Sequence, residues 1–381
     1  MSGLSARPVR MGTVSSQSVL PGASAPGSGP APGHSDSDPE LVGVGVGRVR
    51  AVLSAAAAWY RERLLVDRPR LVVDLLGRRG LVDLSVDTPI GRRWHAGYAP
   101  TGPAGTGLVT ALGGQGFTVS EMLAAGVAAP TRQDGGGVVV DALRGRLVIP
   151  LTEQTGVVGF TARRLLDTNP ATPKWVNTAT TCVFRKGEHL LGLAQQGDAL
   201  AAGRGSVVLV EGAVDAIAVN AAGHIGLAAG GTRLTPAHAD QLRRATAGRG
   251  GRLLLAYDGD PAGHAATNRA ADLLPGLPAQ VVLLSAGCDP ADLLTAHGPR
   301  GLRRALAQTR PLLDVALTYR LQRWERHAGN PVALVEAVHE IAPLILSAPP
   351  EQRARLVALV AARTGLPAET VTAALLDDAT G

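Results

Sequence analysis

Two short apolar runs in the middle of the chain stop abruptly in carboxylates. Val207, Val208, Leu209 and Val210 run into Glu211, and Leu253 to Tyr257 run into Asp258. Runs this short, followed by Gly and then by helical periodicity, predict buried strands of a parallel sheet. Glu211 and Asp215 close the first unit, Asp258 and Asp260 the second. Ligands of open α/β sheets gather at the carboxyl ends of strands, so adjacent strands would bring four acids to one edge.

Upstream, residues 1 to about 40 are rich in Ser, Gly, Pro and Ala without apolar periodicity, which predicts a disordered tail. Helical patterns follow near Val49 to Val66 and from Pro69 to about Arg79, the second stopped by Gly80. Thr88 and Pro89 fit an N-cap and first helical position, WHAGYAP a strand or turn, and Thr118 with Glu121 a capping box. Thr235 and Pro236 open another helix, Gly212 is expected to allow a sharp turn after Glu211, and Gly263 a close approach after DGDPA. After Gly298 the apolar stripes are helical to the end, separated by Pro or Gly.

Hydrophobic residues make up 45% of the 381 and charged residues 18%, the balance of a globular protein with several cores. No apolar run approaches the roughly 20 residues that span a bilayer, and no signal peptide is visible. No membrane association and a cytoplasmic location are expected. Two cysteines, Cys182 and Cys288, cannot build a four-cysteine zinc site, so no zinc and unpaired thiols are expected. Net charge is +6, which suits polyanions. Of 37 basic residues all but Lys174 and Lys186 are arginine. Lysines that persist against such a bias are either chance survivors or positions needing a compact ammonium for phosphate.

Like charges at one edge raise one another's pKa unless a cation intervenes. Carboxylates with water and phosphate completing the shell describe Mg²⁺, with Mn²⁺ as substitute, and point to phosphoryl chemistry. Each string alone has a plainer reading as a turn and a helix start. A calcium loop is excluded, because Arg269 holds its bidentate glutamate position.

Taken in order, VVLVEGAVDA, AAGGTRLTPAHADQL, LLLAYDGDPAG and CDPADLL resemble the TOPRIM domain of DnaG-type bacterial primases. RRGL, TPIGRRWHAGYAP and FTVSEMLAAGV are similar to the start of that catalytic core. DALRGRLVIPLTEQTGVVGFTARRL and PKWVNTATTCVFRKGEHLLGL are similar to its basic segment, with Asp141, Arg144, Arg146, Arg163, Lys174, Asn177 and Lys186 at matching positions. Arg144 and Arg146, two apart on an expected strand, would share a face. Trp175 would pack or stack on a base, and the family's aromatics beside the first arginines are replaced by Ala142 and Leu143.

The resemblance implies an α/β fold class in parts: a disordered tail over 1–40, an α+β basic subdomain over 41–200, a TOPRIM parallel-sheet subdomain over 201–300 and a helical bundle over 301–381. It implies primer synthesis in DNA replication: Mg²⁺ at Glu211, Asp258 and Asp260 activates a 3′-hydroxyl on a single-stranded DNA template and holds a ribonucleoside triphosphate. Asp215 and Asp289 complete the metal environment, with Asp292 a helix-start acid. Arg144, Arg146, Arg163, Lys174, Asn177 and Lys186 would bind nucleic acid or nucleotide. The family's zinc-binding and helicase-binding domains have no counterpart in the sequence, so an accessory or mobile-element primase is expected, with a zinc-module or helicase partner in trans. The alternatives are a TOPRIM nuclease and a non-catalytic single-stranded nucleic-acid-binding protein.

Overall fold

A computed structural model describes residues 43–102, 104–131, 138–166, 172–248, 252–324 and 330–380; the tail expected over 1–40 lies outside them. Helices α1 (Val46–Asp67) and α2 (Arg70–Gly77) open the described chain, and Gly80 at φ +64° turns it afterwards. Thr88 caps α3 (Pro89–Trp94) by accepting the Gly91 N–H. After α4 (Gly107–Gly114), Thr118 and Glu121 form the reciprocal capping box of α5 (Val119–Ala124). Strand β1 (Gly97–Ala99) lies between α3 and α4, while β2 (Ala128–Pro130) and β3 (Val139–Asp141) make a separate ribbon. With β4 (Arg146–Glu153), β5 (Gly156–Arg164) and β6 (Trp175–Asn177), β1 forms an antiparallel sheet in the order β1-β4-β5-β6.

The short helix α6 (Gly197–Ala201) leads to the second sheet, built from β7 (Val207–Val210), β8 (Ile225–Ala228), β9 (Leu253–Leu255), β10 (Ala279–Val282) and β11 (Thr309–Pro311). Its order is β11-β10-β9-β7-β8, parallel except for β11. Helices α7 (Ala213–Ala221), α8 (Pro236–Thr246), α9 (Pro261–Leu273) and α10 (Pro290–Leu306) connect the strands. Finally α11 (Leu312–Gln322), α12 (Pro331–Leu346), α13 (Pro350–Thr364) and α14 (Ala368–Thr380) close the chain. The expectation of helix throughout the region after Gly298 is corrected by β11, a three-residue edge strand too short and too proline-marked to show a period of two.

Successive side chains of a strand point to opposite faces, and the parallel sheet uses this to divide two cores. Val207, Leu209, Leu253 and Leu255 pack with α8, α9 and the C-terminal helices. Val208, Val210, Leu254 and Ala256 pack with α7 and α10, and with Trp94, Leu147 and Ile149 from the N-terminal half. The N-terminal half and the parallel sheet therefore share one core. Leu191 also adds a two-way backbone pairing to Ala228 on the β8 edge, at 2.9 and 3.1 Å. Among the described residues no helix is long and apolar enough to cross a membrane.

Gly226 sets how closely α7 approaches β8, since a Cβ there would lie 2.0 Å from the Ala216 carbonyl oxygen. Gly226→Ala is expected to push α7 off the sheet and destabilise the protein by about 1–3 kcal/mol, as overpacking does. Urea unfolding checks it: the midpoint falls with little change in slope.

Candidate active site

Strands β7 and β9 are adjacent and in register, Leu209 opposite Leu255, so Glu211 and Asp258 leave the same sheet edge together. The Asp258 N–H donates to Glu211 Oε1 at 3.2 Å. Strand β9 ends at Leu255, two residues earlier than Tyr257. The chain then passes so close to the start of α9 that a Cβ on Gly263 would lie 2.1 Å from the Asp258 carbonyl oxygen, the close approach expected of that glycine. Gly212, by contrast, is extended at φ −122°, and the turn after Glu211 needs no left-handed residue. Asp215 sits in the first turn of α7, only 9% exposed, and accepts the Ala291 N–H at 3.3 Å.

Glu211, Asp215, Asp258 and Asp289 line one cleft of about 310 Å³. Burial, then the neighbouring Asp289 and Asp258, push Asp215 up to about 8. Burial, then Glu211 and Asp289, push Asp258 up to about 6. Glu211 is raised as well, by burial, against the lowering effect of the Asp258 N–H. Asp258 Oδ1 is buried without a hydrogen-bond partner, an arrangement that favours a proton or a cation beside it. Among the described residues no three Asp, Glu, His or Cys side chains converge as a complete cage. The donor set fits Mg²⁺, which keeps several waters and takes one or two carboxylates together with substrate phosphate.

The other two acids are engaged locally. Asp260 is exposed, caps α9 by accepting the Gly263 N–H at 2.8 Å, and does not line the cleft. Asp289 caps α10, its Oδ1 accepting the Asp292 N–H at 2.6 Å and its Oδ2 accepting from Arg79 at 2.9 Å. Asp292, in the first turn of α10, takes the same guanidinium at 2.8 Å. Arg79 was not evident in the sequence as a site residue. It lies in the RRGL string noted for its resemblance, but its partners are more than 200 positions away, so the string gives no sign that this arginine meets the acids.

Four of the six predicted binding residues line the facing wall: Arg163, Lys174, Asn177 and Lys186. The Arg163 guanidinium lies 5.8 Å from the centre of the Trp175 ring, and that ring both lines the cleft and packs on the shared core. Asn177 donates to the Gly230 carbonyl at 2.9 Å, tying β6 to the glycine loop after β8. The turn bearing Lys186 is held by α8, where Thr235 Oγ1 donates to Gly187 O and Gln241 Nε2 to Glu188 O, each at 2.6 Å.

Arg144 and Arg146 do not share a strand face. Gly145 at φ +61° puts a turn between them, leaving Arg144 exposed near the β2–β3 ribbon and outside this cleft. Arg146 is 6% exposed and donates to Pro173 O at 3.1 Å and Lys174 O at 3.3 Å, so its guanidinium fastens the backbone that carries Lys174. Asp141 is buried too, and caps α4 by accepting the Leu108 and Val109 N–H groups.

A family profile described as DNA primase catalytic core, N-terminal domain, matches residues 59–197, and one described as Toprim-like matches 208–294. The DNA primase of Mycobacterium leprae is 31% identical over 305 residues, 78% of this chain and 46% of the relative. The chain thus spans about half the length of the curated relatives it matches. The crystal structure of the RNA polymerase domain of Mycobacterium tuberculosis primase DnaG superposes with a TM-score of 0.69 at 29% identity, covering 84% of this chain and 99% of that one. The same domain in complex with double-stranded DNA gives 0.67 at 29%, with the same coverage.

Raised carboxylate pKa values mean that the folded chain holds these protons more tightly than the unfolded one from about pH 4 upward. Without a divalent ion, the stability contributed by these groups is present below that point and is lost as pH rises through about 6 and about 8. An ion bound by the deprotonated groups offsets the loss. Mn²⁺ should therefore raise the melting temperature more near pH 8 than near pH 5.5, with Asp258→Asn blunting the difference. Equal shifts at the two pH values would break the link between these protons and the ion.

Proposed function

This chain belongs to the family of DnaG-type bacterial primase catalytic cores, and from that premise we propose that it makes short RNA primers on single-stranded DNA by nucleotidyl transfer from ribonucleoside triphosphates. The observation that carries this reading is the single cleft with Glu211, Asp215 and Asp258 on one wall and Arg163, Lys174 and Lys186 on the other. The M. tuberculosis domain's complex with double-stranded DNA lends it support.

Glu211 and Asp258 would hold Mg²⁺ or Mn²⁺ together with water and substrate phosphate, with Asp215 adding negative charge behind them, and the bound ion would neutralise charge that develops in an in-line displacement. Asp260 and Asp289, each capping its helix, act as the outer acids of the cluster. Lys174 and Lys186 offer mobile point charges to a triphosphate, and Arg163 offers a planar fork to a phosphodiester. Asn177 fixes the distance between the two walls through Gly230. Arg146 acts behind them by holding the Lys174 backbone, and Arg144 meets the template further from the cleft. Catalysis by such a site is positioning plus electrostatics, with the acids and cations fixed before substrate arrives.

One assay tests the reading. The chain is incubated with single-stranded DNA, labelled ribonucleotides and Mg²⁺ or Mn²⁺, beside Glu211→Gln and Asp258→Asn. Labelled oligomers are expected from the parent, falling by about 100-fold or more in each variant, the scale for removing one preorganised charge-stabilising group. Shortened template would instead identify a nuclease, and binding with neither product would end the enzyme reading. Lys174→Ala and Lys186→Ala should each raise KM for nucleotide or weaken template binding, and where the template contact is lost reduce the salt slope by about 0.7.

A further inference from the structure

A second cleft, of about 320 Å³, opens beside Glu211. Glu211 and Gly231 line both clefts, so the two meet at the carboxyl edge of the sheet. They lie on opposite faces of it. The first is walled by the start of α7, which packs in the core shared with the N-terminal half, and the second by Ala262 and Ala266 of α9, which packs in the other core.

Two arginines line this far cleft: Arg233, from the loop after β8, and Arg269, from α9. Both are exposed, and among the described residues neither has an ion-pair partner. Among the described residues Glu211 is the only carboxylate in the lining, with Gly231 and Thr232 beside it. Pairing sets them apart from Arg79, Arg320 and Arg355, which are all engaged by carboxylates.

A site that lengthens a chain must let a polymer past the first cleft as well as admit a nucleotide to it. Resting on the function proposed above, we propose that Arg233 and Arg269 grip the phosphodiester backbone of a nucleic-acid strand as it crosses the sheet edge beside Glu211. Two unpaired guanidinium forks suit successive phosphates, since each donates in a plane that matches two phosphate oxygens. The strand thus has basic contacts on both faces of the sheet, with the acids between them.

The test compares the parent chain with Arg233→Gln, Arg269→Gln and the double variant, measuring fluorescence anisotropy of a labelled single-stranded oligonucleotide across a salt series and KM for ribonucleotides in primer synthesis. The double variant should bind the oligonucleotide about tenfold more weakly at low salt, with the log–log salt slope reduced by about 1.4 for two lost single-strand contacts. KM for free nucleotide should stay unchanged, and each single variant should show part of the effect. Raised nucleotide KM with unchanged oligonucleotide affinity would overturn the assignment to polymer, and no change in either would overturn the site. A parent chain that binds no oligonucleotide would instead sink the functional reading itself. The variants' urea midpoints should match the parent's, because both side chains are exposed.

Discussion

Mutual repulsion among carboxylates at one sheet edge is the constraint that the rest of the structure answers. Glu211, Asp215, Asp258 and Asp289 share a cleft in which burial, and then the neighbouring carboxylates, disfavour the charged forms of Asp215 and Asp258. Three local contacts partly offset this: the Asp258 N–H on Glu211, the Ala291 N–H on Asp215 and the Arg79 guanidinium on Asp289. None reaches Asp258 Oδ1, which remains buried and unpartnered. Among the described residues this buried, unpartnered oxygen favours a proton or a cation beside it.

Holding that edge is a task shared between sequence-distant halves. Arg79 comes from the first helices and pins the start of α10. Asn177 ties β6 to the loop after β8, and Leu191 pairs with the β8 edge itself. In return α8, a helix of the parallel-sheet region, grips the turn that carries Lys186. Acids and cations are therefore not on two independent bodies that happen to face each other. Each wall is braced by hydrogen bonds from the other, and a common apolar core lies beneath both.

What the sequence reveals about this follows from how local each signal is. Strand ends, caps and helix starts are written within four or five residues, so Glu211, Asp258, the Thr118 box and the Thr235 cap are legible directly. A strand of three residues such as β11 carries no period to read, and Arg79 reveals itself only once α10 is folded against it. Gly263 can be read as a place of close approach, whereas at Gly212 the same residue type is merely extended. Composition shows that the chain is basic and cannot say which arginines face a ligand.

The arginines of the basic segment show why that last limit is physical. Arg144, Arg146 and Arg163 belong to one continuous stretch, yet one is exposed away from the cleft, one is buried on carbonyls and one lies against Trp175 at the cleft wall. A guanidinium has five donors and stays charged in nearly any setting, so it serves as readily as a backbone clamp as a phosphate fork. Lysine lacks that versatility, because its compact ammonium is strongly hydrated and gains less from a ring of carbonyls. In a chain where arginine fills almost every cationic position, the two lysines both fall on the cleft, and the backbone of each is fastened from behind, Lys174 by Arg146 and the Lys186 turn by Thr235 and Gln241. Rigid carriage beneath a mobile charge is what a site needs if its cation is to follow a phosphate during the reaction while the acids opposite stay fixed.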